Sequence, residues 1–424
     1  MSAVIFSSFR WFVLATLCIV TASTAVALIA PAPLMGPIAK TLGVSLGEAT
    51  GSTMGLFNLF VAISCFIGGW FIDRFGAVRV WIASLLIIII GLVLMPVLGT
   101  TFGGMSFLRV IQGCGTGPIM GSTAMIAAQW FPAKERGLVT GIQGMSMGLG
   151  IAIGFMVAPG MFQSTGDWAA TMAWLSVFNI LGLVLALAVN FGPKPPSQPV
   201  LEKCESSAGS ETDFKLALRR PATWAVAFSV LMLGWIFQGF NDITPGYLAI
   251  EAPVGLGKGP MVAGKFMTAV QFAFMTGAVL SGFITEKVFG GRSKPVVFIG
   301  FVGTLVFCSS IRFAGVYSDE TTLLICMILA GLFMAVVQPT SIAFIAKNYP
   351  EHITGRLGGM VQAMSVVGGT IGVFAGATAL HTTGNYLMSI NIIAIIAVIG
   401  LIVSLGQNPP KDFCVIEDQT KLKV

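Results

Sequence analysis

Gly69-Trp70-Phe71-Ile72-Asp73-Arg74-Phe75-Gly76-Ala77-Val78-Arg79 lies between two apolar runs, one beginning near Thr50 and the next near Val78. An acid and two arginines are set among aromatic and aliphatic side chains, with glycines at 69 and 76 flanking Asp73-Arg74. Runs of about twenty apolar residues joined by so short a charged turn suit a chain that leaves a bilayer and re-enters it as a second helix. A looser copy, Gly282-x-x-x-Glu286-Lys287-x-x-Gly290, follows roughly 215 residues later, again after an even-numbered run. The stretch therefore predicts a membrane hairpin, and its copy predicts that the hairpin belongs to a duplicated unit.

Outward from it, apolar runs start near Trp11, Thr50, Val78, Phe102, Gly137 and Ala169, then near Pro221, Met261, Pro295, Thr321, Gly355 and Asn385. This predicts an all-α membrane protein of twelve transmembrane helices in two six-helix halves. The halves are residues 1–190 and 221–406; residues 191–220, rich in Pro, Ser, Glu and Lys, form a cytoplasmic linker, and 407–424 a cytoplasmic tail. The run after Arg10 contains an Ala-Val-Ala that resembles a signal cleavage site, but from Trp11 to about Ile29 it is long enough to span, so the first helix is expected to be retained. With both termini inside, the basic residues collect in alternate loops on one side, leaving only Lys40, Arg109, Lys258, Lys265 and Arg312 elsewhere. The expectation is a multi-pass protein of a cell membrane, a bacterial inner membrane, with both termini cytoplasmic.

Of the 424 residues, 55% are hydrophobic and only 9% charged, with a mean hydropathy of +0.91. So few charges cannot cover a water-soluble fold. The net charge of +6 is spread singly between apolar runs and forms no stripe, so nucleic acid is not an expected partner. The seven cysteines make no Cys-x-x-Cys pair, and His352 and His381 are distant from any of them in sequence, so neither a metal nor another cofactor is expected. No phosphate loop, nucleotide motif or catalytic triad stands in the chain, which points away from an enzyme and toward energy drawn from gradients.

Two further pairs repeat in order: Phe131-Pro132 as Tyr349-Pro350, and Gln143-Gly144-Met145-Ser146 as Gln362-Ala363-Met364-Ser365. At this point the sequence resembles the major facilitator superfamily, over a span from Trp11 to about Gly406. The 69–79 stretch looks like that superfamily's signature between the second and third helices, and its Gly69 is expected to let two helices touch. Leu108-Arg109-Val110-Ile111-Gln112-Gly113-Cys114-Gly115-Thr116-Gly117 resembles a second one, an arginine followed by a glutamine and spaced glycines. Gly150-x-x-x-Gly154-x-x-x-Ala158-Pro159-Gly160 is similar to the glycine-proline signature associated with antiporters, with Ala158 where a glycine is usual. The resemblance implies a secondary transporter working by alternating access. It also implies a gating role for Gly69, Asp73, Arg74, Gly76 and Arg79 and for Glu286 and Lys287 in the copy; plain positive-inside anchoring competes for Arg79.

A charge inside a span costs about 3 kcal/mol or more, so each one is a functional candidate. Arg109 sits in the fourth span with Gln112 and Gly113 on its face, and its fixed guanidinium fork suits a carboxylate. The competing reading is a structural arginine bonded to helix carbonyls. Asp242, in Gln238-Gly239-Phe240-Asn241-Asp242 of the seventh span, is the proton-coupling candidate; a solvated position near the outer end competes with it. Gln143, Gln238, Gln338 and Gln362 complete the substrate-binding set, against a role as interhelical glue, and symmetry favours Gln143 and Gln362. Together these predict a transporter that moves a small organic anion, a carboxylate metabolite, in symport with protons. The alternatives are a proton-coupled exporter of drugs or other foreign compounds, and a sensor that binds without transporting. The expected partners are the solute, protons and the lipid bilayer, and the expected state is a monomer.

Overall fold

The computed structural model describes residues 8–132, 135–195, 207–349 and 351–409, without the side chains of residues 66, 73, 124, 128, 136–138, 140, 207–211, 351, 352, 355 and 356. The Asp73 carboxylate, Pro350, residues 196–206 of the linker and residues 410–424 of the tail therefore lie outside the described residues.

The described residues form helices joined by tight turns. In chain order these are α1 (Phe9–Ile29), α2 (Met35–Leu42), α3 (Leu46–Thr50), α4 (Leu56–Phe75), α5 (Ala77–Val93), α6 (Met95–Leu98), α7 (Phe102–Gly121), α8 (Thr123–Trp130), α9 (Arg136–Thr165), α10 (Trp168–Trp174), α11 (Ser176–Phe191) and α12 (Ser207–Leu218). They continue as α13 (Pro221–Ala249), α14 (Gly259–Phe283), α15 (Ser293–Ser310), α16 (Ala314–Tyr317), α17 (Glu320–Asn348), α18 (Glu351–Thr383) and α19 (Leu387–Ser404). Among the described residues, nine helical segments are long and apolar enough to cross a membrane. The other spans of the expected twelve fall on α4, the shorter apolar helix α5, and α7 with its polar content around Arg109. The end of the linker is not extended chain: α12 runs to Leu218, and Thr223 Oγ1 donates to the Ala217 carbonyl across the turn.

Two compact units divide the chain. The first comprises Met1–Pro199, Gly239–Phe272 and Val373–Ser389; the second comprises Val200–Gln238, Ala273–Gly372 and Ile390–Val424. The divisions fall within α13, α14, α18 and α19, each of which contributes residues to both units.

Inside each unit the helices meet where side chains are missing, since lipid offers no hydrophobic reward for helix association and close backbone contact must supply the attraction. In the first unit a Cβ at Gly150 would stand 2.2 Å from the Ala22 carbonyl oxygen, and one at Gly117 would stand 2.1 Å from Ser64 Oγ. These two glycines bring α9 onto α1 and α7 onto α4. A Cβ at Gly264 of α14 would fall 2.2 Å from the Phe155 carbonyl, and one turn later Thr268 Oγ1 donates to the Ala152 carbonyl at 3.1 Å. In the second unit α13 and α18 interlock through Gly234 and Gly368, each facing the other helix's backbone. Its apolar core gathers Ala217, Val226, Val230, Phe344, Tyr349, Leu357 and Val361, so α12 is docked into it. Gly76 turns α4 into α5 at φ +85°, a region that only glycine enters freely.

Because Gly150 faces backbone that cannot retreat, Gly150→Val is expected to cost about 1–3 kcal/mol by overpacking. A lowered unfolding midpoint of the detergent-purified protein, with little change for Gly141→Val on an open face, is the expected reading.

Candidate functional site

Arg109 lies in α7 and is 1% exposed. Its burial is possible because carbonyls at the end of α1 and in the turn before α4 face it. α1 ends at Ile29, and the helical partner of the Ala27 carbonyl would be the N–H of residue 31, which is a proline and has none. At the head of α4, residues Gly51–Gly55 form a π turn in which the bonds skip one residue further, Leu56 N–H donating to the Gly51 carbonyl. The guanidinium reaches both places. Nη1 donates to the Ala27 carbonyl at 2.9 Å, Nη2 to the Leu28 carbonyl at 3.0 Å and Nε to the Thr53 carbonyl at 2.5 Å. The remaining contacts are Nη1 to Gln112 Oε1 at 2.8 Å, Nη2 to Met54 Sδ at 3.9 Å, and the Phe57 ring at 4.2 Å. Arg109 is thus a cationic cap on the negative end of α1 and on the π turn.

Gln112 extends this clamp to a third helix. Its Oε1 accepts from Arg109 and its Nε2 donates to the Gly91 carbonyl at 2.9 Å, near the end of α5. Gly91 has no side chain because a Cβ there would meet Gln112 Cγ at 2.8 Å.

Asp242, on α13, is 2% exposed. Asn58 links it to α4: its Nδ2 lies 3.0 Å from the Met54 carbonyl and 3.4 Å from Asp242 Oδ2. Beside Asp242, Gln271 Nε2 donates to Asn241 Oδ1 at 2.5 Å, tying α14 to α13. The structure thus gathers the Arg109–Gln112 pair of α7 and Asp242 of α13 around Asn58 and the turn before it, where the sequence pointed only to the pair and to Asp242 separately.

The other glutamines fall into two groups. Gln143 on α9 is half-buried, with Nε2 3.5 Å from Thr21 Oγ1 on α1. In the second unit, Gln338 Nε2 donates to the exposed Gln362 Oε1 at 2.7 Å, and Gln238 packs against Gly369, whose Cβ would lie 3.2 Å from its own. Gln338 and Gln362 keep spare amide donors and acceptors, unlike Gln112, whose amide is used on both atoms.

At the gating positions the close packing expected of Gly69 falls on its neighbour. A Cβ at Gly68 would stand 2.7 Å from Pro118 Cα, whereas at Gly69 and at its counterpart Gly282 it would meet nothing within 4 Å. Arg74 stacks on Trp70 at 5.3 Å and on Phe75 at 5.5 Å, and Arg79 is exposed. In the copy Glu286 sits in a π turn, Ile284–Val288, and pairs with Lys347 at the end of α17, while Lys287 is exposed. Among the described residues no group of three or more His, Cys, Asp or Glu stands close enough to hold a metal ion.

The profile of the Major Facilitator Superfamily matches residues 15–302 and 256–414. The chain belongs to that superfamily. It is a membrane transporter and not an enzyme. It is 26% identical over 358 residues to the cis,cis-muconate transport protein of Acinetobacter baylyi, covering 78% of this chain and 81% of that one. It is 24% identical over 342 residues to the hexuronate transporter of Bacillus subtilis, covering 78% of each. A probable sulfoacetate transporter of Cupriavidus necator is 24% identical over 391 residues, covering 85% of this chain and 86% of its own. In fold the chain is similar to a bacterial homologue of the human lysosomal transporter Spinster in an inward-facing, unoccupied conformation, with a TM-score of 0.77, 16% identity and coverage of 95% and 97%.

If Arg109 is a cap, Arg109→Lys fails to replace it, because one ammonium cannot reach carbonyls on α1 and on the π turn together. Leaving buried carbonyls unpaired costs about 1–3 kcal/mol each, so the unfolding midpoint of the variant is expected to drop by several degrees without any solute, whereas Gln143→Ala stays near wild type. A wild-type midpoint for Arg109→Lys would show that the clamp does not hold the fold.

Proposed function

We propose that this superfamily member is a proton-coupled symporter of a small organic anion, a carboxylate metabolite, working by alternating access. One observation carries the reading: a buried arginine and a buried aspartate lie in one compact unit, with Asn58 reaching both Asp242 and the Met54 carbonyl next to the Thr53 carbonyl that Arg109 holds. In hydrocarbon such charges are retained only for a purpose. An arginine that keeps its positive potential while its donors are occupied attracts an anion without gripping it. Protonation of Asp242 removes the competing negative charge, so proton and anion favour each other's binding. The names of the relatives support the anion: muconate, hexuronate and sulfoacetate all carry a carboxylate.

In this assignment Asp242 is the proton-coupling residue, and Arg109 with Gln112 sets the positive potential. Gln143, Gln238, Gln338 and Gln362 supply amide contacts to carboxylate and hydroxyl oxygens. Gly69, Asp73, Arg74, Gly76, Arg79, Glu286 and Lys287 gate the side facing the cytoplasm, where the distribution of basic residues places both termini.

Reconstituted liposomes given an acid-outside pH step and a panel of labelled carboxylates test this. Wild type is expected to accumulate at least one of them above equilibrium. Asp242→Asn is expected to lose accumulation by about tenfold or more while still exchanging labelled for unlabelled solute, since only the proton's share of the cycle is removed. Accumulation at the wild-type level by Asp242→Asn would remove Asp242 from the coupling role.

A further inference from the structure

At the end of the first unit remote from the N-terminus, three residues that no step of the proposed transport uses are held in one chain of contacts. Ser45 caps α3, accepting the Glu48 N–H at 3.2 Å, while Glu48 Oε2 accepts from the Ser45 backbone N–H at 2.9 Å. The Ser45 hydroxyl lies 2.8 Å from the same Glu48 oxygen and 2.9 Å from Nδ1 of His381, in the last turn of α18. The contact is close by construction. A Cβ on Gly47 would stand 2.4 Å from the His381 backbone nitrogen and 2.5 Å from the Ala377 carbonyl. Gly51 and Gly55, one and two turns on, face Ala377 and the Phe374 ring.

Proton accounting decides what the chain of contacts does. A hydroxyl owns one proton. The Glu48 carboxyl is held below the usual carboxylate range, first by the Ser45 backbone N–H and then by its hydroxyl, with the charge of His381 adding to both. Its folded value is depressed, so its contribution persists at every pH above the ordinary carboxylate range and fades only as the solution acidifies through the lowered value. Around neutrality Glu48 is therefore a carboxylate and takes the hydroxyl proton. His381 Nδ1 must then donate to Ser45 Oγ, and Nε2 is the atom left to gain a proton. When it does, a cation, a hydroxyl and an anion stand in line across α18 and α3. His381 and Glu48 are both exposed, so protons reach them directly.

Glu48 is the charged group facing His381 from α3. The residues that follow on its own chain, Thr382, Thr383, Gly384 and Asn385, carry no charge, and the other ionisable residues in the turns at this end of the unit are Lys40, Asp167, Glu251 and Lys258, with Lys265 in the first turns of α14.

We propose that Ser45, Glu48 and His381 form a proton-strengthened latch that holds the end of α18 against α3, so that acid on that side of the membrane favours the closed state of this end. A proton gained by the imidazole sets a positive charge in line with the Ser45 hydroxyl and the Glu48 carboxylate, so the latch tightens when that proton is taken up. The proposal rests on the transporter reading only for what the latch gates; the latch itself is a property of the folded chain.

Hydrogen exchange of the full-length protein at pH 6 and pH 8, corrected with an unstructured peptide for the pH dependence of the chemistry, tests it. Amides in peptides covering 45–55 and 374–386 are expected to be about threefold better protected at pH 6, in keeping with the strength of an exposed charge pair. The same difference is expected in Asp242→Asn and is expected to vanish in His381→Gln and in Glu48→Gln, both exposed sites that the fold tolerates. A pH effect that survives His381→Gln, is missing from wild type or has the opposite sign overturns the latch. Because the readout needs no solute, failure of carboxylate uptake would leave this result standing, and failure of the latch would leave uptake untouched.

Discussion

A helix that ends inside hydrocarbon must find partners for its last carbonyls, and much of the first unit follows from how this chain meets that demand. Pro31 deprives the Ala27 carbonyl of its helical donor, and the π turn at Gly51–Gly55 shifts the bonding pattern at the head of α4. One guanidinium repairs both, and Gln112 carries the repair on to α5. A neutral side chain could satisfy one or two of these carbonyls. The five donors of an arginine satisfy several at once, and its charge suits the negative end of a helix. The cost of burying that charge is offset by carbonyl dipoles and by the Phe57 ring. Fold and candidate chemistry therefore share a residue, and neither reading of Arg109 excludes the other.

Much of this architecture could be read from the chain because spanning helices are specified by length and composition, which are local properties. The runs at α1, α9, α13 and α17 are legible as spans without any knowledge of their neighbours. Arg109 and Asp242 are legible as exceptional for the same reason, being charges within apolar runs. What they touch was not legible. The capped carbonyls belong to backbone more than fifty residues away, and nothing in the side chains of Thr53 or Ala27 announces that their carbonyls are free. Pro31 was the available signal: a proline four residues after Ala27 marks an orphan acceptor. Likewise, the contact expected of Gly69 belongs to Gly68, because a shift of one residue turns a helix position by about 100° and only packing shows which glycine faces Pro118. His381 had weight only as a metal ligand in the sequence, since its partner Ser45 lies 336 residues away.

The two copies of the charged hairpin also show why duplication does not make equal halves. Aligned on Phe131-Pro132 and Tyr349-Pro350, the position of Lys347 corresponds to Gln129 in the first half. Glu286 therefore has a cation at the end of α17 where the first half offers an amide, and the first-half Arg74 stacks on its neighbouring aromatic rings. Glu286 also stands in a π turn, which displaces it around the helix relative to a regular α turn and brings it to Lys347 beside Gly291, a residue at φ +79° whose added Cβ would lie 3.1 Å from the lysine nitrogen. Both members of the pair are exposed, and an exposed ion pair contributes about 0–1 kcal/mol. A contact of that size is compatible with the gating role proposed for Glu286: one worth several kcal/mol would trap a transporter in a single state, whereas a set of weak contacts can be broken by the binding energy of a small solute. The same reasoning applies to the Ser45–His381 contact, so the extensive hydrogen bonding lies in the buried clamp and the weak, exposed contacts at the positions proposed to open.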